Sequence, residues 1–252
     1  MTEEPYRWVE AISNRREYIE HQLAGGSPIV ALTYADGILF LTLSRERQKI
    51  FEIYDRIAMG AIGHPGDIER LRMAAIEVAS TEGFTRSTQD VSLRRLATFS
   101  LSPALKAAFE QIYGPPYLAR MLFAELGREG DANLFTRLDY DGTMHTSGGP
   151  HLKSFEEFGV LAGTAVQAAA MEKHLAGAKN ADKGLREALQ LAMDAWTIGF
   201  LTHEEGDAPA AEAIETAKKE QLAGAVLEAA VLERSARQAA TYRPLKQDEL
   251  GI

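Results

Sequence analysis

Ile29-Val-Ala-Leu-Thr-Tyr34, Ala35-Asp36-Gly37 and Ile38-Leu-Phe-Leu-Thr-Leu43 decide the fold. Two runs of β-forming residues flank an Asp-Gly pair, which supplies the positive φ that a tight turn needs. They predict a β-hairpin. Lys49-Ile-Phe-Glu-Ile-Tyr54 and Ile57-Ala-Met-Gly-Ala-Ile62 predict a second pair of strands around Asp55-Arg56. Four strands therefore precede the first long internal helix.

Upstream, residues 7–24 predict an amphipathic helix. Trp8, Ile12, Tyr18 or Ile19, and Leu23 fall near helical spacing among Arg15, Arg16, Glu17 and Glu20. Gly25-Gly26 stops it. Downstream, residues 65–82 predict a helix with Ile68, Leu71, Ala75 and Val78 on one stripe, closed by Gly83. A second helix is expected over 88–113. Pro103 must kink or break it, because proline lacks the N–H and clashes with the preceding turn. Strands follow at 117–125 and 132–138, then an Asp141-Gly142 turn and a run over 143–146. A short apolar strand at 158–162 leads into helices at 164–175, 184–201 and 208–220. A strand at 225–232 and a last piece around 240–243 end the pattern.

The order is strands, helices, strands, helices, strands. Hairpins make the sheets mostly antiparallel. Two sheets face to face with helices on both outer sides would bury these runs. The expected class is α+β, a four-layer α/β/β/α sandwich. No interior linker is long or polar enough to separate two domains.

Composition excludes several functions. The chain has 252 residues, 46 % hydrophobic and 25 % charged, which rules out wholesale disorder. Lys plus Arg number 27 against 36 Asp plus Glu, a formal net charge of −9. A negative field disfavours general nucleic-acid binding. There is no Cys, so disulfides, thiolate zinc sites and a Cys nucleophile are excluded. The stretch 37–43 is far short of the roughly 18 apolar residues that a membrane span requires. Met1-Thr-Glu-Glu-Pro5 is acidic with no apolar segment behind it, unlike a signal peptide. The expected location is the cytoplasm, with no nucleic acid, membrane, metal or cofactor as partner.

Residues 27–40, then Gln48-Lys49-Ile-Phe-Glu-Ile-Tyr-Asp-Arg-Ile57, then Gly60-Ala-Ile-Gly-His64 resemble the opening of 20S proteasome subunits, most of all the α-type subunits of actinobacteria. The likeness runs more weakly through residues 71–76 and the helix after Gly163 to residues 226–232. The resemblance implies the N-terminal nucleophile hydrolase fold, the same four-layer sandwich. It divides the chain into an N-terminal segment, 1–26, and one subunit domain, 27–252.

The family has catalytic β-type and non-catalytic α-type branches. In the catalytic branch a freed N-terminal Thr attacks the peptide carbonyl, its own α-amine takes the proton, and a Lys oriented by an Asp lowers the barrier. Ser27 stands at the nucleophile's place behind Gly25-Gly26, and Lys49 matches the active-site Lys. Leu43 stands where the Asp is required, with only Thr42 and Ser44 as polar neighbours. The late Arg-Asp and Ser-Gly elements are also missing; Met193-Asp194 in the matching region lacks the Ser-Gly. The residues therefore favour the α branch, with Ser27 and Lys49 as a peptidase pair the alternative.

In the α branch the matching Lys receives the C-terminal carboxylate of an activator's hydrophobic-Tyr-X tail. The resemblance thus assigns Lys49 to activator docking, with Gly63 and His64 in the turn lining the same pocket. Met1, Thr2, Glu3, Glu4, Pro5 and Tyr6 correspond to the gate of the entrance pore. The Tyr-Asp-Arg signature of archaeal and eukaryotic α subunits is absent from this N-terminus. Implied partners are neighbouring α subunits in a heptamer, a β-type ring, and an activator ATPase or adaptor. A self-assembling inactive homologue is a third reading.

Other residues read as structural. His145 and His151 flank Gly148-Gly149 as loop histidines, and Gly148-Gly149-Pro150 lacks the Gly-Lys-Ser/Thr ending of a phosphate loop. Trp8 and Trp196 are expected to pack. Lys218-Lys219 beside Glu215 and Glu220 reads as a solvated helix face.

Overall fold

The computed structural model describes residues 4–45, 47–111, 113–128, 131–148, 157–178, 181–204, 206, 209–234 and 241–251. Helix α1 (Glu4–Leu23) leads into β1 (Ile29–Tyr34), β2 (Gly37–Ser44), β3 (Ile50–Tyr54) and β4 (Ile57–Gly63). Helices α2 (Pro65–Thr85), α3 (Leu93–Leu96) and α4 (Ser102–Glu110) follow. Then come β5 (Ala119–Glu125), β6 (Leu134–Leu138), β7 (Met144–Gly148) and β8 (Phe158–Leu161). Helices α5 (Ala165–Ala176), α6 (Leu185–Leu201) and α7 (Ala211–Gly224) precede β9 (Val226–Glu233), β10 (Tyr242–Pro244) and α8 (Gln247–Leu250).

The strands form two five-stranded sheets, ordered β10-β9-β2-β1-β8 and β3-β4-β5-β6-β7. Every pairing is antiparallel. Alternation along β1 and β2 builds the layers. Ile29, Ala31, Ile38 and Phe40 meet Ile50, Ala58, Leu122 and Ala124 between the sheets. Val30, Leu32, Leu39 and Leu41 turn the other way onto Met171 and Leu175 of α5 and Leu189 and Trp196 of α6. On the far side, Ile57, Met59 and Ala61 pack with Leu71, Ala75 and Ala79 of α2 and Leu105 of α4. The four-layer sandwich expected from sequence is therefore present. It also explains the unbroken apolar runs of β1 and β2, since both faces of each strand are covered.

Local signals mostly act as read. Beyond those readings, Thr164 and Gln167 form a capping box at the start of α5. Gly142, at φ +82°, makes the turn between β6 and β7. The expected helix over 88–113 is broken, as Pro103 requires. A 3₁₀ turn at Thr88–Asp90, α3, a π-turn at Ala97–Leu101 and α4 replace it. The proline lies in the first turn of α4, where its missing N–H is harmless.

Four expectations change. Gly37 has the expected positive φ, +159°, but it opens β2 instead of standing in the turn, which Ala35-Asp36 makes. It is glycine because a Cβ there would meet the Leu232 carbonyl oxygen of β9 at 1.9 Å. Gly83 does not end α2, which runs to Thr85; the space for its Cβ holds the Tyr54 hydroxyl. His145 lies in β7 rather than a loop, its Nε2 3.5 Å from Asp139. Trp8 is 46 % exposed, whereas Trp196 is buried as expected. His151, Gly149 and Pro150 lie outside the described residues.

Helix α1 is fastened to the body at several points. Ile19 and Leu23 pack with Phe109 and Tyr140. The Arg15 guanidinium donates to the carbonyls of Ala108, Phe109, Gln111 and Gly114, capping the C-terminal end of α4. The Glu20 carboxylate accepts from the Tyr140 hydroxyl at 2.7 Å and from Arg120 at 2.9 Å. No described helix is long and apolar enough to cross a membrane.

Candidate functional site

The chain crosses from α1 into β1 at Gly25-Gly26-Ser27, beside the β2–β3 loop and the end of β4. These segments, with α6, border a cleft of about 700 Å³. Ser27, Lys49 and Gly63 all line it, so the structure brings three of the assigned residues together. Trp196 and Phe200 of α6 also border it, their rings stacked at 5.2 Å. His64 is exposed and precedes α2 as its N-cap, but does not line the cleft.

Lys49 is part-buried at the head of β3. Its ammonium Nζ donates to the Ser27 carbonyl oxygen at 3.4 Å. Its backbone N–H donates to both oxygens of Glu228, at 3.0 Å each, and the Ile50 N–H donates to Glu228 at 2.8 Å. Burial lowers the Lys49 pKa, and the Glu228 charge opposes that. Burial likewise raises the Glu228 pKa, against the two backbone donors and Lys49. The result is a cation with little water, poorly compensated, facing a cleft. Such a group gains from an incoming anion.

The catalytic arrangement is not assembled. The Ser27 hydroxyl donates at 2.8 Å to the carbonyl of Leu43, the residue standing where an acid is needed. The neighbours of Leu43 are also committed: Thr42 Oγ1 donates to the Pro28 carbonyl at 2.6 Å, and Ser44 Oγ to that of Arg47. Asp194 is paired with Lys218 of α7 instead of approaching Lys49. Lys218 is therefore a tie between α6 and α7, its side chain only 16 % exposed, and not the solvated residue expected from sequence. Among the described residues, no group of three or more metal-binding side chains clusters.

Gly63 fixes the turn from β4 into α2. Its φ is +130°, and a Cβ would meet the Leu118 carbonyl oxygen at 2.1 Å. That same oxygen accepts from the His64 N–H at 2.7 Å, and the Leu118 N–H donates to Asp67 at 3.0 Å. Gly63→Ala should therefore destabilise the chain by about 1–3 kcal/mol through the disallowed φ alone. A shift in thermal midpoint reads this out, and an unchanged midpoint would refute the strain.

Of the gate positions, Glu4, Pro5 and Tyr6 already belong to the first turn of α1, earlier than sequence suggested. Met1, Thr2 and Glu3 lie outside the described residues. Sequence reasoning missed Glu228, although a lone carboxylate inside the apolar run of β9 was a visible signal. It also missed Phe200, four residues after Trp196 on one helix face.

Comparison with known proteins gives concordant results. A family model described as "Proteasome subunit" matches residues 24–151. A "Proteasome subunit alpha" of Kineococcus radiotolerans is 34 % identical over 238 residues, 94 % of this chain and 90 % of the relative. A protein of the same name from Nocardioides sp. is 30 % identical over 248 residues, 96 % of this chain and 86 % of the relative. Another, from Acidothermus cellulolyticus, is 36 % identical over 137 residues, 54 % of this chain and 58 % of the relative.

Proposed function

The chain belongs to the proteasome subunit family, and we propose that within it this is a non-catalytic α-type subunit. It forms an outer ring of seven copies on a β-type ring in the cytoplasm. Residues 1–6 gate the entrance, and an activator ATPase or adaptor docks its C-terminal tail at Lys49. Peptide hydrolysis belongs to the separate β chain. One observation carries the non-catalytic reading: the Ser27 hydroxyl is spent on the Leu43 carbonyl, with a buried leucine where an acid is required. The docking reading rests on Lys49, a part-buried ammonium bordering the cleft and held by one backbone carbonyl. The relatives named "Proteasome subunit alpha" support the branch.

Native mass spectrometry tests this reading. The full-mass chain is expected in a sevenfold ring, inert alone and active only with a β-type partner. Ser27→Ala should leave the activity of that complex unchanged. Loss of residues 1–26 from the purified chain, or loss of activity on Ser27→Ala, would favour the peptidase alternative. A stable ring that refuses every β-type partner would favour the self-assembling homologue.

A further inference from the structure

The Lys49 cleft is cationic on a protein that is anionic overall. The chain carries a net charge of −9, yet Arg45, Arg47 and Lys49 border the cleft against one carboxylate, Glu69. Arg45 and Arg47 are exposed, and neither has an ion-pair partner among the described residues. Glu69 is already engaged with Arg72 at 2.7 Å. Two guanidinium groups without an ion-pair partner among the described residues therefore stand in the loop leading to the part-buried Lys49 ammonium. Glu228 already lies beside Lys49 and offsets part of its desolvation, and a single terminal carboxylate placed on the ammonium leaves both arginines unanswered.

We propose that the docked tail carries a second anion, an Asp or Glu side chain two to four residues before its terminal carboxylate, and that Arg45 and Arg47 receive it. This rests on the docking reading above. Chain reach supports the spacing. Arg47 and Arg45 lie two and four residues before Lys49, at most about 7 and 14 Å along an extended backbone. A tail residue two to four positions before its terminus has the same maximum reach from the carboxylate, so it can meet either arginine. Guanidinium is the fitting receiver, because its planar donors match a carboxylate in two-point contact. The lysine sits deep and takes the terminus; the arginines sit at the mouth and read what precedes it. They select among tails rather than supplying most of the affinity, since exposed ion pairs contribute little.

Two labelled octapeptides test this on the full-length chain in its assembled ring, one ending in Glu-Leu-Tyr-Ala and one in Gln-Leu-Tyr-Ala. The Glu peptide is expected to bind about fivefold tighter at low salt, the ratio falling toward one as salt screens the exposed pair. In the double variant Arg45→Gln/Arg47→Gln the preference should vanish while the Gln peptide binds as before. Equal affinity of the two peptides for the wild type, with binding still lost on Lys49→Ala, overturns the second-anion subsite and keeps Lys49 docking. A Glu preference that needs the arginines but survives Lys49→Ala supports the subsite and overturns Lys49 as the seat of the terminus. Failure of both peptides to bind overturns both.

Discussion

Arg120→Ala should lower the free energy of unfolding by about 2–4 kcal/mol, because it removes a buried cation and leaves Asp139 and two buried carbonyls without their donor. Arg120 in β5 is 8 % exposed. Its Nε donates to Asp139 at 2.5 Å, one terminal nitrogen to the carbonyls of Ala162 and Gly163, and the other to Glu20 at 2.9 Å. One guanidinium thus joins α1, the end of β6 and the turn from β8 into α5. Burial alone would lower its pKa, but Asp139 and Glu20 outweigh this and raise it. The side chain of Glu20 is 43 % exposed, so its share is screened; Asp139, at 15 %, carries more. Denaturant unfolding of the variant reads the loss, and a change under 1 kcal/mol would refute this role. Glu20→Gln should cost much less, since an amide still accepts from Arg120 and Tyr140.

That joint marks where sequence reading reached its limit. The strands of the hairpins were legible because each signal is local: Ile29 to Leu43 carries its alternation and its turn in fifteen consecutive residues. The four layers followed, because both faces of β1 and β2 had to be covered. Arg120 was invisible, for its partners Glu20, Asp139 and Ala162 are brought together by three separate elements. Gly37 was only half legible for the same reason. Its φ of +159° is positive, as the Asp-Gly signal suggests, but the closer constraint is the Leu232 carbonyl, almost two hundred residues away in sequence. In the site, Ser27 and Lys49 were legible only through resemblance. Glu228 left a signal in the apolar run of β9, but its partners did not: its carboxylate holds the start of β3 by two backbone N–H groups. It also supplies the local charge that partly offsets the desolvation of Lys49.

Lys49→Ala should abolish stimulation of the assembled proteasome by a tail-bearing activator and leave ring assembly intact. The ammonium contributes one hydrogen bond, to the Ser27 carbonyl, so its removal disturbs little of the fold. The hold of Glu228 on β3 runs through backbone N–H groups, which alanine retains. Docking loses far more, because the terminal carboxylate would enter the cleft without its partner. Truncating one member of a desolvated charge pair typically costs about 2–5 kcal/mol, at least thirtyfold in affinity. The pH dependence follows from the lowered Lys49 pKa. Affinity is full while the ammonium is charged and falls as pH rises through that lowered value, before the ordinary lysine range is reached. Stability moves the opposite way at this residue: the cost of burying the charge is full below the lowered pKa and fades as pH rises through it. Lys49→Met should therefore be more stable than wild type at neutral pH, with the advantage shrinking in alkali, while remaining unresponsive to activator. Stimulation of the alanine variant at wild-type level would remove Lys49 from the docking site, whatever the stability measurements gave.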